Sequence, residues 1–354
     1  MPMHLLRSTR SLLTVVLLLL PVSTLQAAVA LPGGPLPAGL AGASYYTILT
    51  TIGGLAPFTW TLGGNLPAGL SLDPSAGVIY GIPPNPGPST FTLSVTDANG
   101  STTQSSYQLT INPAPTGTQT RVGVCPHIAF SGGWHSTVTV TNLDPTPVLV
   151  WVNLWKDTGG ALSTQMVFPQ EGGGPDVTSN FVSRTLPAGG SLIVNLDGNS
   201  ETPTVEGWAE IASTGHVGAF AIFRLVVTGR ADAEGTASLD SHTQTKLLIP
   251  FDNTIGYTTS LALVNNSINQ QGAVTVTILD ENGTTITPSQ ALQPLSGNGH
   301  TAFAVNSKFP QTQGRRGVLV FQTTSGTNLT GLAFRFNPTD NFTSVPVMYP
   351  PVSD

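Results

Sequence analysis

The chain has 354 residues, of which 39 are Gly and 29 Pro, and only 8% are charged, far below the globular norm of about 25%. A net charge of −6 over 12 basic and 18 acidic residues excludes a basic stripe for nucleic acid. The single cysteine, Cys125, excludes an internal disulfide, and the length admits two or three domains of about 100–150 residues each.

Residues 1–30 read as a secretory signal peptide. Arg7 and Arg10 form a basic start, Leu12 to Leu20 an apolar core, and Ala28-Val29-Ala30 offers the small residues of a cleavage site. The apolar run is short for about 30 Å of hydrocarbon. A second run of about 20 apolar residues is missing from the sequence, so no transmembrane anchor is expected after cleavage. A leader without disulfides points to a bacterial protein that is secreted or associated with the cell envelope.

The next segment, 31–113, alternates short apolar strands with turns. Phe58, Trp60 and Leu62 share a parity and are expected in a core, as are Phe91, Leu93 and Val95. Gly77 and Gly81 bound the short strand Val78-Ile79-Tyr80. Asp97-Ala98-Asn99-Gly100 reads as a hairpin turn. With Pro57, Leu66-Pro67, Gly69-Leu70, Leu72, Pro83 and Asp97 in order, residues 36–112 resemble the immunoglobulin-like, cadherin-related domain of bacterial secreted and surface proteins. Phe58 stands where that family usually has tyrosine, and Ile82 where it has threonine. The resemblance implies a β-sandwich that serves as a spacer or adhesion module and implies no enzyme. Cadherin relatives bind calcium between domains, which makes Asp73, Asp97 and Asn99 candidate ligands. The acidic clusters that calcium favours are missing from the sequence, and the turn explains Asp97 and Asn99 equally.

A proline-bearing linker covers 114–121. Beyond it, Gly133-Trp134-His135-Ser136-Thr137-Val138-Thr139-Val140-Thr141-Asn142 is echoed by Gly256-Tyr257-Thr258-Thr259-Ser260-Leu261-Ala262-Leu263-Val264-Asn265. Turns at Asp157 and Asp280 keep the same offset of 123. Ala221-Ile222-Phe223-Arg224 pairs with Leu332-Ala333-Phe334-Arg335 at an offset of 111. We therefore expect two copies of one unit, at 122–230 and 246–354, joined by a polar connection at 231–245. Predicted strands are 136–141, 148–155, 191–196, 207–212 and 218–227 in the first copy. In the second they are 259–264, 273–279, 300–305, 317–322 and 329–336. A Gly-rich loop at 170–179 accounts for much of the first copy's extra length. The fold class is all-β, as tandem β-sandwiches. The two copies could stand as separate domains or complete one joint structure. The region resembles uncharacterised β-rich segments of exported bacterial proteins, which implies no activity.

Four residues are candidates for ligand binding. Trp134 and Tyr257 hold the same place in the two copies and could stack on sugar rings, or plug the sandwich end. Arg224 and Arg335 could bind a carboxylate or sugar, or close a sheet edge. Trp151 and Trp155 share a strand face with Asn153. Cys125 and His127, two residues apart, would face the same way on a regular strand, and with His135 could begin a zinc site. Glu206 and Glu210 flank Trp208 and are the best candidate carboxylate pair. No nucleophile motif of a known hydrolase class appears. The expected function is a non-catalytic binding, adhesion or scaffold protein with an extracellular protein or glycan partner. The alternatives are a carbohydrate-binding accessory protein and, after that, a hydrolase on a β-sandwich.

Overall fold

A computed structural model describes residues 28–351, apart from 44, 115, 170–176, 230, 269 and 324–325. Residues 1–27 of the leader expected at 1–30, and most of the expected Gly-rich loop, lie outside the described residues. The chain is nearly all β.

The first unit holds β1 (Gly34–Pro35), β2 (Gly39–Leu40), β3 (Tyr45–Ile48), β4 (Thr59–Gly63), β5 (Leu70–Asp73), β6 (Val78–Gly81), β7 (Gly87–Thr96) and β8 (Thr102–Asn112). One sheet runs β1-β8-β7-β4, with β2 also on β8, and the other runs β3-β6-β5. Their facing sides bury Trp60, Ile79, Phe91, Leu93, Val95, Tyr107, Leu109 and Ile111. Phe58 packs against this core half-buried, but Leu62, expected inside, is 37% exposed. The smaller sheet has three strands of only four residues and leaves the end of β4 uncovered. Gly77 is required where it stands: its φ is +64°, and a Cβ there would lie 2.5 Å from the Trp60 indole nitrogen. Val29 is buried in this core and Ala30 exchanges two backbone hydrogen bonds with Ile52. The folded unit thus includes the last residues of the segment expected as leader.

The second unit holds β9 (Thr120–Phe130), β10 (Trp134–Asn142), β11 (Val148–Lys156), β12 (Thr164–Met166), β13 (Val177–Ser179), β14 (Phe181–Leu186), β15 (Ser191–Leu196), β16 (Val205–Ser213), β17 (Val217–Leu225) and β18 (Ala233–Ser238). The third holds β19 (Lys246–Asp252), β20 (Thr258–Asn265), β21 (Val274–Asp280), β22 (Thr285–Ala291), β23 (His300–Ala304), the one-turn helix α1 (Val305–Lys308), β24 (Arg316–Thr323), β25 (Leu329–Phe336) and β26 (Phe342–Val345). Sheets β14-β11-β16-β9 and β15-β10-β17-β18 of the second unit correspond to β22-β21-β24-β19 and β23-β20-β25-β26 of the third. The segment expected as a connection, 231–245, contributes the edge strand β18.

The anchor of the duplication is an asparagine. The side-chain amide of Asn142 donates to the carbonyls of Thr146, Leu186 and Pro187. That of Asn265 donates to Gln270, Leu295 and Ser296. Each ties the end of its strand to two loops. Counting back from this pair, Val138 faces Ala221 and Leu261 faces Ala333. The equivalence is therefore 112 residues on β17 and β25, one more than the Phe-Arg match suggested. A one-residue slip exchanges the two faces of a strand. Arg335 faces Thr259 and corresponds to Phe223, whereas Arg224 faces His135 and corresponds to Phe336. The two arginines are not structural copies.

A β-bulge corrects a second expectation. Ala209 pairs with Cys125 and Gly207 pairs with Ile128, so two residues of β9, Pro126 and His127, oppose Trp208 alone. Cys125 and Ile128 both lie in the second unit's core, and His127 turns outward. His135 binds Asp197 at 2.9 Å instead. Among the described residues no group of three or more His, Cys, Asp or Glu is placed to hold a metal ion.

The second and third units share a core. Leu332, Phe334 and Phe342, from the outer face of the β23-β20-β25-β26 sheet, join the second unit's cluster, with Phe334 edge-on to Phe223 at 5.1 Å. This sheet covers the side of the second sandwich between edge strands β9 and β18. On the third unit the same side is covered by the chain's own continuation: Met348 pairs with Leu248, and Val345, Val347 and Tyr349 pack on the core.

Candidate functional site

Strand β11 alternates without a break. Val148, Val150, Val152 and Leu154 are at most 3% exposed, while Leu149, Trp151, Asn153 and Trp155 face outward, half-buried. The outer residues form rows with their neighbours in register. Thr185 lies beside Leu149, and Ser183, Trp151 and Ala212 form the next row. Phe181, Asn153 and Glu210 form a third, and Trp155 lies beside Trp208. Both ends of this face are walled. At one end Thr185 donates through its backbone N–H to Gly42 O and through its hydroxyl to Ala41 O, both at 2.8 Å, which seats the first unit there. At the other end the Trp208 indole is fully buried against Val264 and donates to Asn298 O at 2.9 Å, which seats the third unit.

Between the walls, Trp151, Phe181 and Trp155 offer apolar ring surface beside Asn153 and Ser183. Phe181 is 49% exposed. Glu210 is held in place: Arg121 Nε donates to Oε1 at 2.8 Å, and Trp155 Nε1 donates to Oε2 at 3.2 Å. Arg121 also reaches the carbonyl of Asn266. Glu206 shares this face of β16 but lies beyond Trp208 and the third unit seated on it, so the expected carboxylate pair is divided between the floor and the seam.

The sequence candidates fall elsewhere. Trp134 packs on Phe342 with ring centres 5.5 Å apart, at the seam between the second and third units. Tyr257 carries the Arg335 guanidinium over its ring at 4.4 Å, and Arg335 also binds Asp252 at 3.2 Å, so both are engaged with each other. Arg224 meets Asp232 at 3.6 Å, a solvent-screened pair. Asp73 Oδ1 accepts from the Ser75 and Ala76 backbone and the Ser75 hydroxyl, and these bonds hold its carboxyl below the usual range. Asp97 accepts from the backbones of Asn99, Ser101 and Leu55. Both carboxylates thus close their own turns, and Asn99 stands exposed in the hairpin. The pair Trp151 and Trp155, read from parity alone, is what the structure brings together. Phe181 was missed because β14 carries no periodic apolar signal in Phe-Val-Ser-Arg-Thr-Leu.

A second concave feature lies along the seam. Asp157, at the turn after β11, accepts from His300 Nδ1 at 2.7 Å, and His300 Nε2 lies 3.1 Å from His127 Nδ1. His127 in turn borders a half-open cleft of about 190 Å³ between the two units. Burial, reinforced by the neighbouring His300, pushes the His127 pKa well below 6.5.

Residues 41–112 match a family model described as Putative Ig domain. No curated protein matches the chain. Among solved structures, a putative alpha-galactosidase/melibiase from Bacteroides fragilis is 22% identical over 25% of this chain and 18% of its own, with a TM-score of 0.22. The first four extracellular cadherin domains of protocadherin gamma B7 are 11% identical over 61% of this chain and 50% of theirs, also at 0.22. A carbohydrate-binding module of the β-sandwich superfamily is 10% identical over 87% of this chain and 94% of its own, at 0.18. Scores this low carry no argument, and the first two matches span half or less of the neighbour's length.

Proposed function

We propose that this is an exported, non-catalytic binding protein that holds an extended glycan across the outer face of the β14-β11-β16-β9 sheet. One observation carries the reading: Trp151, Phe181 and Trp155 form a walled, shallow floor interleaved with Asn153 and Ser183. A pyranose has an apolar C–H face and a polar rim. A ring on the floor covers the former, and side-chain amides and hydroxyls meet the latter. The floor runs along β11 from Trp151 to Trp155, which suits a polymer bound by its flank. The leader-like start of the sequence supports export, and the Ig-like unit serves as a wall and spacer.

The test is titration calorimetry against a panel of soluble polysaccharides. A bound glycan should lose at least tenfold in affinity, about 1.4 kcal/mol, in Trp151→Ala and in Phe181→Ala. Trp134→Ala should leave it unchanged. No binding across the panel, or binding indifferent to Trp151, would end the proposal.

A further inference from the structure

The seam cleft is separate from the glycan floor and is built differently. Its base is the outer face of the β23-β20-β25 sheet, where Ser260, Ala262, Ala302 and Ala304 are all small. Space remains there because no large side chain fills it. Phe334 and Phe336 stand on the same base, and Trp134 closes it from the second unit. The remaining wall is polar: His127 inside and Glu206 at the solvent-facing mouth. Glu206 is the only acidic residue, and no Lys or Arg accompanies it, among the described lining residues. A cavity of about 150 Å³ takes a benzene-sized guest, so a volume of about 190 Å³ fits one ring with a short arm.

The histidine chain sets the polarity of the inner wall. With both rings neutral, the Asp157 carboxylate accepts from His300 Nδ1–H, so His300 Nε2 accepts from His127 Nδ1–H. That leaves His127 Nε2 as an acceptor. The cleft therefore offers a hydrogen-bond acceptor, an acidic mouth and π faces, and every one of these favours a cation that donates N–H. Partial desolvation raises the Glu206 carboxyl above the usual range. An ammonium at the mouth would supply the missing counter-charge.

We infer that the seam cleft is a binding site for a small organic ammonium with a one-ring apolar body, its cationic head at Glu206 and its ring among Phe334, Phe336 and Trp134. The inference does not depend on the glycan floor, and Trp151→Ala should leave it intact.

Titration of the full chain at neutral pH with three matched probes tests it: phenethylammonium, 2-phenylethanol and 3-phenylpropionate. The expected order is ammonium tighter than alcohol by roughly tenfold or more, with the carboxylate weakest. Quenching or shift of tryptophan fluorescence should accompany ammonium binding. Glu206→Gln should erase the preference for the ammonium over the alcohol, and Ala304→Leu should block both. Unchanged melting temperatures would show that the variants are folded. Equal affinity for the three probes in the wild-type protein, no saturation by millimolar ammonium, or an unaltered preference in Glu206→Gln would each overturn the inference.

Discussion

Gly159 and Gly283 occupy corresponding turns with φ of +82° and +79°, yet their surroundings differ. A Cβ on Gly159 would sit 2.2 Å from the Gly297 carbonyl oxygen, whereas Gly283 has open space around it. Gly283→Ala should cost only the left-handed penalty of about 1–2 kcal/mol. Gly159→Ala should cost clearly more, because the backbone of the third unit must also move, and thermal melts of the two variants measure the difference. Cys125 is fully buried, and desolvation pushes its thiol up to about 12. It should resist a thiol reagent in the native protein and react at once in denaturant. At this scale the sequence misled in two instructive places. The Phe-Arg match was real as letters, but the pairing register moves one arginine to the opposite face. Cys125 and His127 were separated by a bulge that no local pattern announces. Parity arguments held where strands were regular, as for Phe91, Leu93 and Val95.

Among the elements, β25 serves two cores at once. Ala333 faces the third unit's own cluster while Leu332 and Phe334 enter the second unit's. Phe334→Ala should therefore destabilise by about 3–5 kcal/mol, as buried Phe truncations do. Hydrogen exchange should show the loss in β9 and β17 of the neighbouring unit as well as in β25. The strands themselves were legible from alternation, and β10, β11, β20 and β21 most clearly. In the two copies β9, β12, β13, β14, β18, β19, β22 and β26 were not predicted; Ala233–Ser238 is small and polar, Phe342–Val345 is only four residues long, and both owe their place to edge pairing. The aromatic floor on β11 was half visible. Trp151, Asn153 and Trp155 share a strand, but Phe181 arrives from a strand more than 25 residues away.

For the molecule as a whole, the seam makes stability depend on pH. His127 is held neutral by burial and by His300, so its folded pKa lies below that of the unfolded chain. Above about 6.5 both states leave it neutral and the seam is at full strength. As pH falls below that value the unfolded chain takes up a proton that the folded one resists, and stability declines. Asp144, lowered by the His216 backbone and side chain, and Asp73 add to the loss only below about 4. Melting temperatures from pH 8 to pH 5 should fall in the wild type and fall less in His127→Gln. The position of Val29 and Ala30 in the first core bears on processing: N-terminal sequencing of the mature protein should find a start at or before Val29.

The cover that Val345 to Tyr349 lays over the third unit has a further consequence. In a stacked array each unit closes its predecessor, and the last must be closed by something that is not a unit. Here the segment through Tyr349, whose hydroxyl bonds Asp240, covers the third unit's flank. A chain cut before Ser344 would end in a bare flank matching the one that the third unit's sheet already covers on its neighbour. Such a chain would offer that flank to a second copy, and sedimentation velocity should show it self-associating where the full chain does not.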